Sequence, residues 1–433
     1  MMALTFVAPP FPTVSGANGL ASLQPVRGTH DLLPEEGRKH RHIVDAARGL
    51  AERYGYEEMA TPIFEFTDVF KRTLGDTSDV VTKEMYTFED RSGDQITLRP
   101  EGTAGIARAL ISGGLGQSLP LKFFYWGPMF RHERPQKGRL RQFHQIGVEL
   151  LGVAAPLGDV EVIALGAHIL DALGVLERTT LELNTLGDSE SRTAYRKALV
   201  DYLSAHADKL SEESRARLER NPLRVLDSKD AGDKKIVADA PVFDDHLTAE
   251  ARDFFAQVCD GLDQLNIAYT LNPRLVRGLD YYCHTAFEFT TDALGAQGTV
   301  LAGGRYDGLV ETMGGPPTPG VGWAAGIERL AMLTSGTVPA SRPIAVIPLG
   351  AAAEAIALKL THAMRQKGLT VDLGFSGNLS RRMKRANRLG AVRAVILGDD
   401  EIAKGVATIR DMETGEQEAI PLDSVGDRLA RDL

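Results

Sequence analysis

The stretch that most restricts the fold is a pair of strand-like runs, "LKFFYWGPMF" and "RQFHQIGVELL", separated by a loop from His132 to Arg139. They read as neighbouring antiparallel strands, but the loop is too long and too basic for a simple hairpin turn. Between Arg131 and Arg141 the chain sets five cations against one acid, Glu133, although its formal charge overall is −9. Side chains alternate along a strand, so Phe143, Gln145, Gly147 and Glu149 share one face while His144, Ile146, Val148 and Leu150 share a core face. The first face has two readings. It is either a solvated outer surface or a ligand site, with the missing side chain of Gly147 leaving room beside the sheet. The loop also has two readings: Arg131, Arg134, Arg139 and Arg141 suit phosphate, being planar, permanently charged and bidentate, and they equally suit a solvated charged loop.

The rest of the chain is organised around this pair. With 433 residues, 43% of them hydrophobic and 25% charged, it has the apolar content of an ordinary globular protein of roughly two to four domains. The acidic balance excludes a protein that coats nucleic acid through overall charge, so any such contact must come from local basic patches. Cys259 and Cys283 are too few for a disulfide framework, and a reducing, cytoplasmic setting is expected. Residues 1–25 read as a loose tail broken by Pro9, Pro10 and Pro12, not a signal peptide, and no run approaches the roughly 20 apolar residues of a membrane span. An amphipathic helix is predicted from Pro34 through Ile43, Ala47, Leu50 and Ala51, and a charged helical insertion at about 189–260. The expected architecture is α+β: an antiparallel-sheet domain over 26–335, then, after a break, a small α/β domain with parallel strands over 342–433.

Other segments carry chemistry-bearing residues. In "RGLDYYCHTAFEF", alternation puts Tyr281, Cys283, Phe287 and Phe289 opposite Tyr282, His284, Ala286 and Glu288, with Arg277 at a glycine turn before them. Arg277 could supply positive charge to a phosphoryl transition state or simply cap a loop in solvent. In "LAGGRYDGL", Gly303 and Gly304 permit close approach of a ligand to the backbone, ahead of Tyr306. Glu101 and Thr103 start a predicted helix, where capping is the ordinary role of such residues. There is no P-loop, no dinucleotide fingerprint, and no HExxH or similar spacing that would point to a metal site made by protein side chains.

Together these segments resemble the histidyl-tRNA synthetases, a family of class II aminoacyl-tRNA synthetases, from about Val26 onward. "YGYEEMATPIFE", with Pro62, is similar to the dimer-interface motif 1; "FYWGPMFRHERPQKGRLRQFHQ" to motif 2; and "GVGWAAGIERL" to motif 3. "RGLDYY" and "AGGRYD" are similar to the two histidine-specific motifs. The resemblance implies that Arg131, Arg139 and Arg329 bind ATP, with Arg131 also catalytic and Arg277 acting at the α-phosphate where other class II enzymes use an extra metal ion. It implies that Glu101, Thr103 and Gln145 hold the amino group of histidine, that Glu149 and Tyr282 bracket its imidazole, and that Tyr306 completes the pocket. Arg134 would meet tRNA, as would Arg381, Lys384, Arg385 and Arg388 at helical spacing in an anticodon-binding domain, a stripe that could otherwise be a solvated helix face. ATP with Mg²⁺, histidine, the histidine tRNA and a second copy of the chain are the implied partners, and no membrane is. The main rival is the non-catalytic relative that serves as a regulatory subunit in histidine biosynthesis; it typically lacks the anticodon domain and departs from "RGLDYY" or motif 2.

Overall fold

In the computed structural model, residues 23–75, 78, 80–226, 228–276, 281–336 and 338–432 are described. The chain divides into two compact units, Met1–Thr337 and Val338–Leu433. In order, the first runs α1 (Pro34–Arg53), β1 (Glu57–Glu58), β2 (Phe64–Phe66), α2 (Thr67–Leu74), β3 (Tyr86–Glu89), β4 (Gln95–Leu98), α3 (Thr103–Ser112), β5 (Leu121–Phe130), β6 (Gln142–Leu151), α4 (Pro156–Ala172) and β7 (Thr180–Thr185). Four helices follow, α5 (Ser189–Ser204), α6 (Glu212–Arg220), α7 (Ala231–Ala238) and α8 (Ala249–Gln264), then β8 (Thr270–Leu271), β9 (Cys283–Thr290), β10 (Thr299–Arg305), α9 (Leu309–Thr312), β11 (Gly320–Gly326) and α10 (Ile327–Leu333).

The two strand-like runs flanking the basic loop are β5 and β6, paired antiparallel over their full length, with Tyr125 opposite Gly147 and Phe130 opposite Gln142. They sit inside an eight-stranded sheet ordered β1-β5-β6-β11-β10-β9-β7-β8, antiparallel except for its two short edge strands. Ile146, Val148 and Leu150 face a core that also takes in Ile43, Ala47 and Leu50 of α1 and Ile163 and Ile169 of α4. Burying each of the isoleucines, the valine and the leucines is worth roughly 1.5–3 kcal/mol. A one-residue slip would put Gln145 and Glu149 there instead, so the register is strongly held. The opposite face is covered too, by a second core containing Phe123, Tyr125, Met129, Tyr282 and Tyr306. The face of Gln145 and Glu149 is therefore not a solvated outer surface.

The four helices after β7 form because their sequence is charged and helix-favouring and carries clear start signals. Asp188, Ser211, Asp230 and Thr248 each cap one of them by accepting a backbone N–H in its first turn. The second unit runs β12 (Ile344–Pro348), α11 (Ala351–Gln366), β13 (Val371–Leu373), α12 (Leu379–Arg388), β14 (Arg393–Leu397), α13 (Asp399–Ala403), β15 (Val406–Asp411), β16 (Gln417–Pro421) and α14 (Val425–Asp432). Its sheet is mixed, not parallel throughout. β13, β12 and β14 are parallel across helical crossovers, whereas β15 and β16 are added antiparallel, their connections being too short for a crossover.

Candidate active site

A cavity of about 260 Å³ opens where the start of β6, the β5–β6 loop, the start of α3, Tyr281 and Tyr282, and the β11–α10 junction meet. One end is cationic. Arg131 donates through Nε to the Pro100 carbonyl at 2.9 Å and lies over the Phe143 ring, 5.4 Å from its centroid. Arg139 pairs with Glu133 at 2.6 Å. Arg329, the first cationic residue of α10, donates to the carbonyls of Gly138 and Thr299 at 3.1 and 2.8 Å. Burial lowers the pKa of its guanidinium, and the charge of Arg139 adds to that. Three guanidinium groups on one small cavity repel one another, which a bound polyanion would relieve.

The other end is polar and buried. The Glu101 carboxylate accepts the backbone N–H of Thr103 at 2.6 Å and of Ala104 at 2.9 Å, so it caps α3, the ordinary role for such a residue at a helix start. Burial raises its pKa while those two bonds oppose the rise. Glu149, only 1% exposed, accepts from Thr103 Oγ1 at 2.6 Å and from the Tyr306 hydroxyl. Desolvation pushes its pKa up to about 8. It sits behind Gly322, its cross-strand neighbour, where a Cβ would overlap the carboxylate. Gln145 lines the cavity, and its buried Oε1 has no hydrogen-bond partner among the described residues. Such an atom costs about 1–3 kcal/mol until something donates to it.

Several details differ from what alternation predicts. The space over Gly147 is filled by the Tyr125 ring and is not open to a ligand; Gly303 accommodates the Gly322 carbonyl and Trp323, and Gly304 the Tyr282 ring. These glycines let neighbouring strands and rings pack closely. Strict alternation also fails at the start of β9, where His284 has φ 42° and the β10 pairing shifts between Gly304 and Arg305. Tyr281 and Tyr282 lie ahead of β9, where alternation does not hold, and both line the cavity, their rings 4.6 Å apart, instead of pointing to opposite faces. Glu133 and Glu328 line it as well, and the sequence offered no signal for them beyond their being next to cationic motifs. Tyr306 and Glu149 stand behind the wall. Arg277 lies outside the described residues, and Arg134 is exposed on the loop.

Elsewhere, Pro62 is exposed beside an apolar surface formed by Ile63, Phe64 and Phe66. In the second unit Arg381, Lys384, Arg385 and Arg388 are exposed on α12 and line a cavity of about 350 Å³ with Phe375, itself 78% exposed. Arg385 pairs with Asp372 at 2.8 Å. Arg382, in the same helix, is buried and donates to the Gly377 and Gly374 carbonyls at 2.7 and 3.0 Å, so it supports the helix instead of the stripe.

The family model described as histidyl-tRNA synthetase matches residues 28–330, and the anticodon-binding-domain model matches 343–432. A histidine–tRNA ligase of Rhodospirillum rubrum is 66% identical over 415 residues, covering 96% of this chain and 100% of the relative. One of Gluconacetobacter diazotrophicus is 58% identical, covering 95% and 99%. The crystal structure of apo S. aureus histidyl-tRNA synthetase superposes with a TM-score of 0.80 at 36% identity, covering 94% of this chain and all of that one. A Bacillus halodurans structure titled as an ATP phosphoribosyltransferase regulatory subunit/histidyl-tRNA synthetase has a TM-score of 0.61 at 22% identity, covering 87% and 98%, a likeness of fold alone.

Proposed function

Because the chain belongs to the histidyl-tRNA synthetase family, and so is an ATP-using aminoacyl-tRNA ligase for histidine, we propose the following division of work among its residues. Arg131, Arg139 and Arg329 hold the phosphates of ATP, which brings Mg²⁺ with it as part of the substrate. Glu101 and the unpartnered Gln145 Oε1 receive the ammonium group of histidine. Tyr282 meets the imidazole in the cavity, and Glu149, just behind the side-chain-less Gly322 of the wall, is the carboxylate that faces it there, held by Thr103 and Tyr306. An amino acid without ring N–H groups would leave these polar atoms unpaired, which is how such a site rejects it.

The histidine carboxylate oxygen attacks the α-phosphorus, the bond to pyrophosphate breaks, and histidyl-adenylate forms. A terminal ribose hydroxyl of tRNA then attacks the activated carbonyl and AMP leaves. No side-chain nucleophile is needed, because positioning and charge neutralisation supply the catalysis. Arg277 is assigned to the α-phosphate on the strength of the resemblance. Arg134 would meet the acceptor end of tRNA; Arg381, Lys384, Arg385 and Arg388 would meet its anticodon loop, with the exposed Phe375 ring suited to stacking a splayed base. The exposed Ile63, Phe64 and Phe66 near Pro62 suit the face of a homodimer. Among the described residues no helix is long and apolar enough to cross a membrane, and we place the protein in the cytoplasm. The regulatory-subunit reading has no specific observation in its favour.

The observation that carries this reading is the convergence of three guanidinium groups and an unpartnered amide oxygen on one cavity. Histidine-dependent exchange of pyrophosphate into ATP tests it. Exchange should occur with histidine and not with proline, threonine or glycine, and both Arg329→Ala and Arg277→Ala should lower it by roughly 10²–10³. Wild-type levels of exchange in Arg329→Ala would refute the phosphate assignment.

A further inference from the structure

Beside the substrate cavity three elements bring metal-ligating side chains together. His40 on α1, His144 on β6 and Glu328 at the start of α10 each offer one ligand atom, and these atoms all lie within 4.8 Å of one another. All three residues are partly buried. The His40 and His144 rings meet edge to face with centroids 5.5 Å apart, and Glu328 Oε1 is 2.8 Å from His144 Nδ1. The cluster borders a second cavity, of about 690 Å³, lined by His30, His40 and Glu328 among others. A cation therefore has a way in that does not cross the site of ATP.

A histidine–glutamate hydrogen bond needs no second imidazole, yet here one arrives from a separate helix at the same carboxylate. Two imidazoles and a carboxylate are the donors of three-ligand zinc sites that keep a fourth position open. The set disfavours Ca²⁺ and Mg²⁺, which require oxygen shells. Donors around tetrahedral zinc stand about 3.3 Å apart, so the cluster needs only a small inward rotation of side chains to close on an ion. The carboxylate is already oriented, because both its oxygens accept the His144 backbone N–H at 3.0 Å, the kind of outer bond that fixes a ligand.

We propose that His40, His144 and Glu328 form a divalent transition-metal site that takes Zn²⁺ where α1, β6 and α10 meet, with water or His30 in the fourth position. No sequence motif announces it, since His144 and Glu328 are 184 residues apart. Glu328 adjoins Arg329, and His144 adjoins Phe143 and Gln145, so an ion here clamps the segments that line the substrate cavity. The site does not depend on the assignment of the reaction, and its test reads metal directly.

The full chain, stripped with a chelator, is titrated with Zn²⁺ by calorimetry and with Co²⁺ by visible absorption. The expected result is one equivalent per chain, tetrahedral Co²⁺ bands that Zn²⁺ abolishes, and a thermal midpoint that rises with Zn²⁺. His40→Ala should weaken binding by more than about tenfold and leave histidine-dependent exchange in Mg²⁺ buffer unchanged; His40→Gln, nearer in size, serves if the alanine variant is poorly folded. Absence of stoichiometric uptake, or equal uptake by wild type and both variants, overturns the proposal.

Discussion

Glu149 is a carboxyl group held in a place where its charged form is disfavoured. Burial raises its pKa from 4.5 to about 8, against the opposing hydrogen bonds from Thr103 and Tyr306. A folded-state pKa above the unfolded one means that the folded chain binds the proton more tightly. The associated stability is therefore complete below about pH 4.5 and is lost as pH rises to about 8, a difference on the order of 5 kcal/mol at most. Glu149→Gln keeps the shape and removes the titration, so its thermal midpoint should fall less than that of wild type between pH 5 and 8. A constant offset between the two curves would show that Glu149 does not titrate in this window. The same substitution should raise the KM for histidine. The strand alternation made Glu149 and Gln145 legible as face-mates; that Gly322 supplies the room for this carboxylate was not, because that depends on the neighbouring strand.

At the scale of elements, α4 is tied to β10 through a fully buried ion pair between Asp159 and Arg305, with Arg305 also bonded to the Val153 carbonyl and to Asp307 at 2.9 and 3.0 Å. Asp159→Ala leaves a guanidinium buried with only the partly exposed Asp307 for a counter-charge. Unfolding in guanidinium chloride should show a loss of about 3–5 kcal/mol, with a smaller loss in Asp159→Asn; a change below about 1 kcal/mol would mean that the pair is not important to the packing. Strand β6 was readable because period-2 patterning survives when both faces are covered. The positive φ at His284 inside β9 was not, since at a residue other than glycine it leaves no mark on hydrophobic periodicity. Tyr281 and Tyr282 precede that strand, so alternation does not govern them and both border the cavity.

For the whole molecule the question is how a chain of net charge −9 holds an RNA. The exposed cations Arg381, Lys384 and Arg388 of α12 put positive charge where the chain's average would not. Replacing all three with alanine should weaken tRNA binding and flatten the slope of log K against log salt by about 0.7–0.9 for each phosphate that is no longer neutralised. An unchanged slope in filter-binding or anisotropy titrations would exclude α12 from the RNA interface. Local order along the chain determined much of this protein: the amphipathic helix from Pro34, the antiparallel pair around the basic loop, the helical run before β8 and the basic stripe on α12 are all patterns within a few turns or strands of sequence. Only the tertiary structure decided which glycines leave space for a ring instead of a ligand, which carboxylate loses its water and rises in pKa, and that His40, His144 and Glu328 meet. Those outcomes depend on contacts between segments from about twenty to nearly two hundred residues apart, and no periodicity records which segments meet.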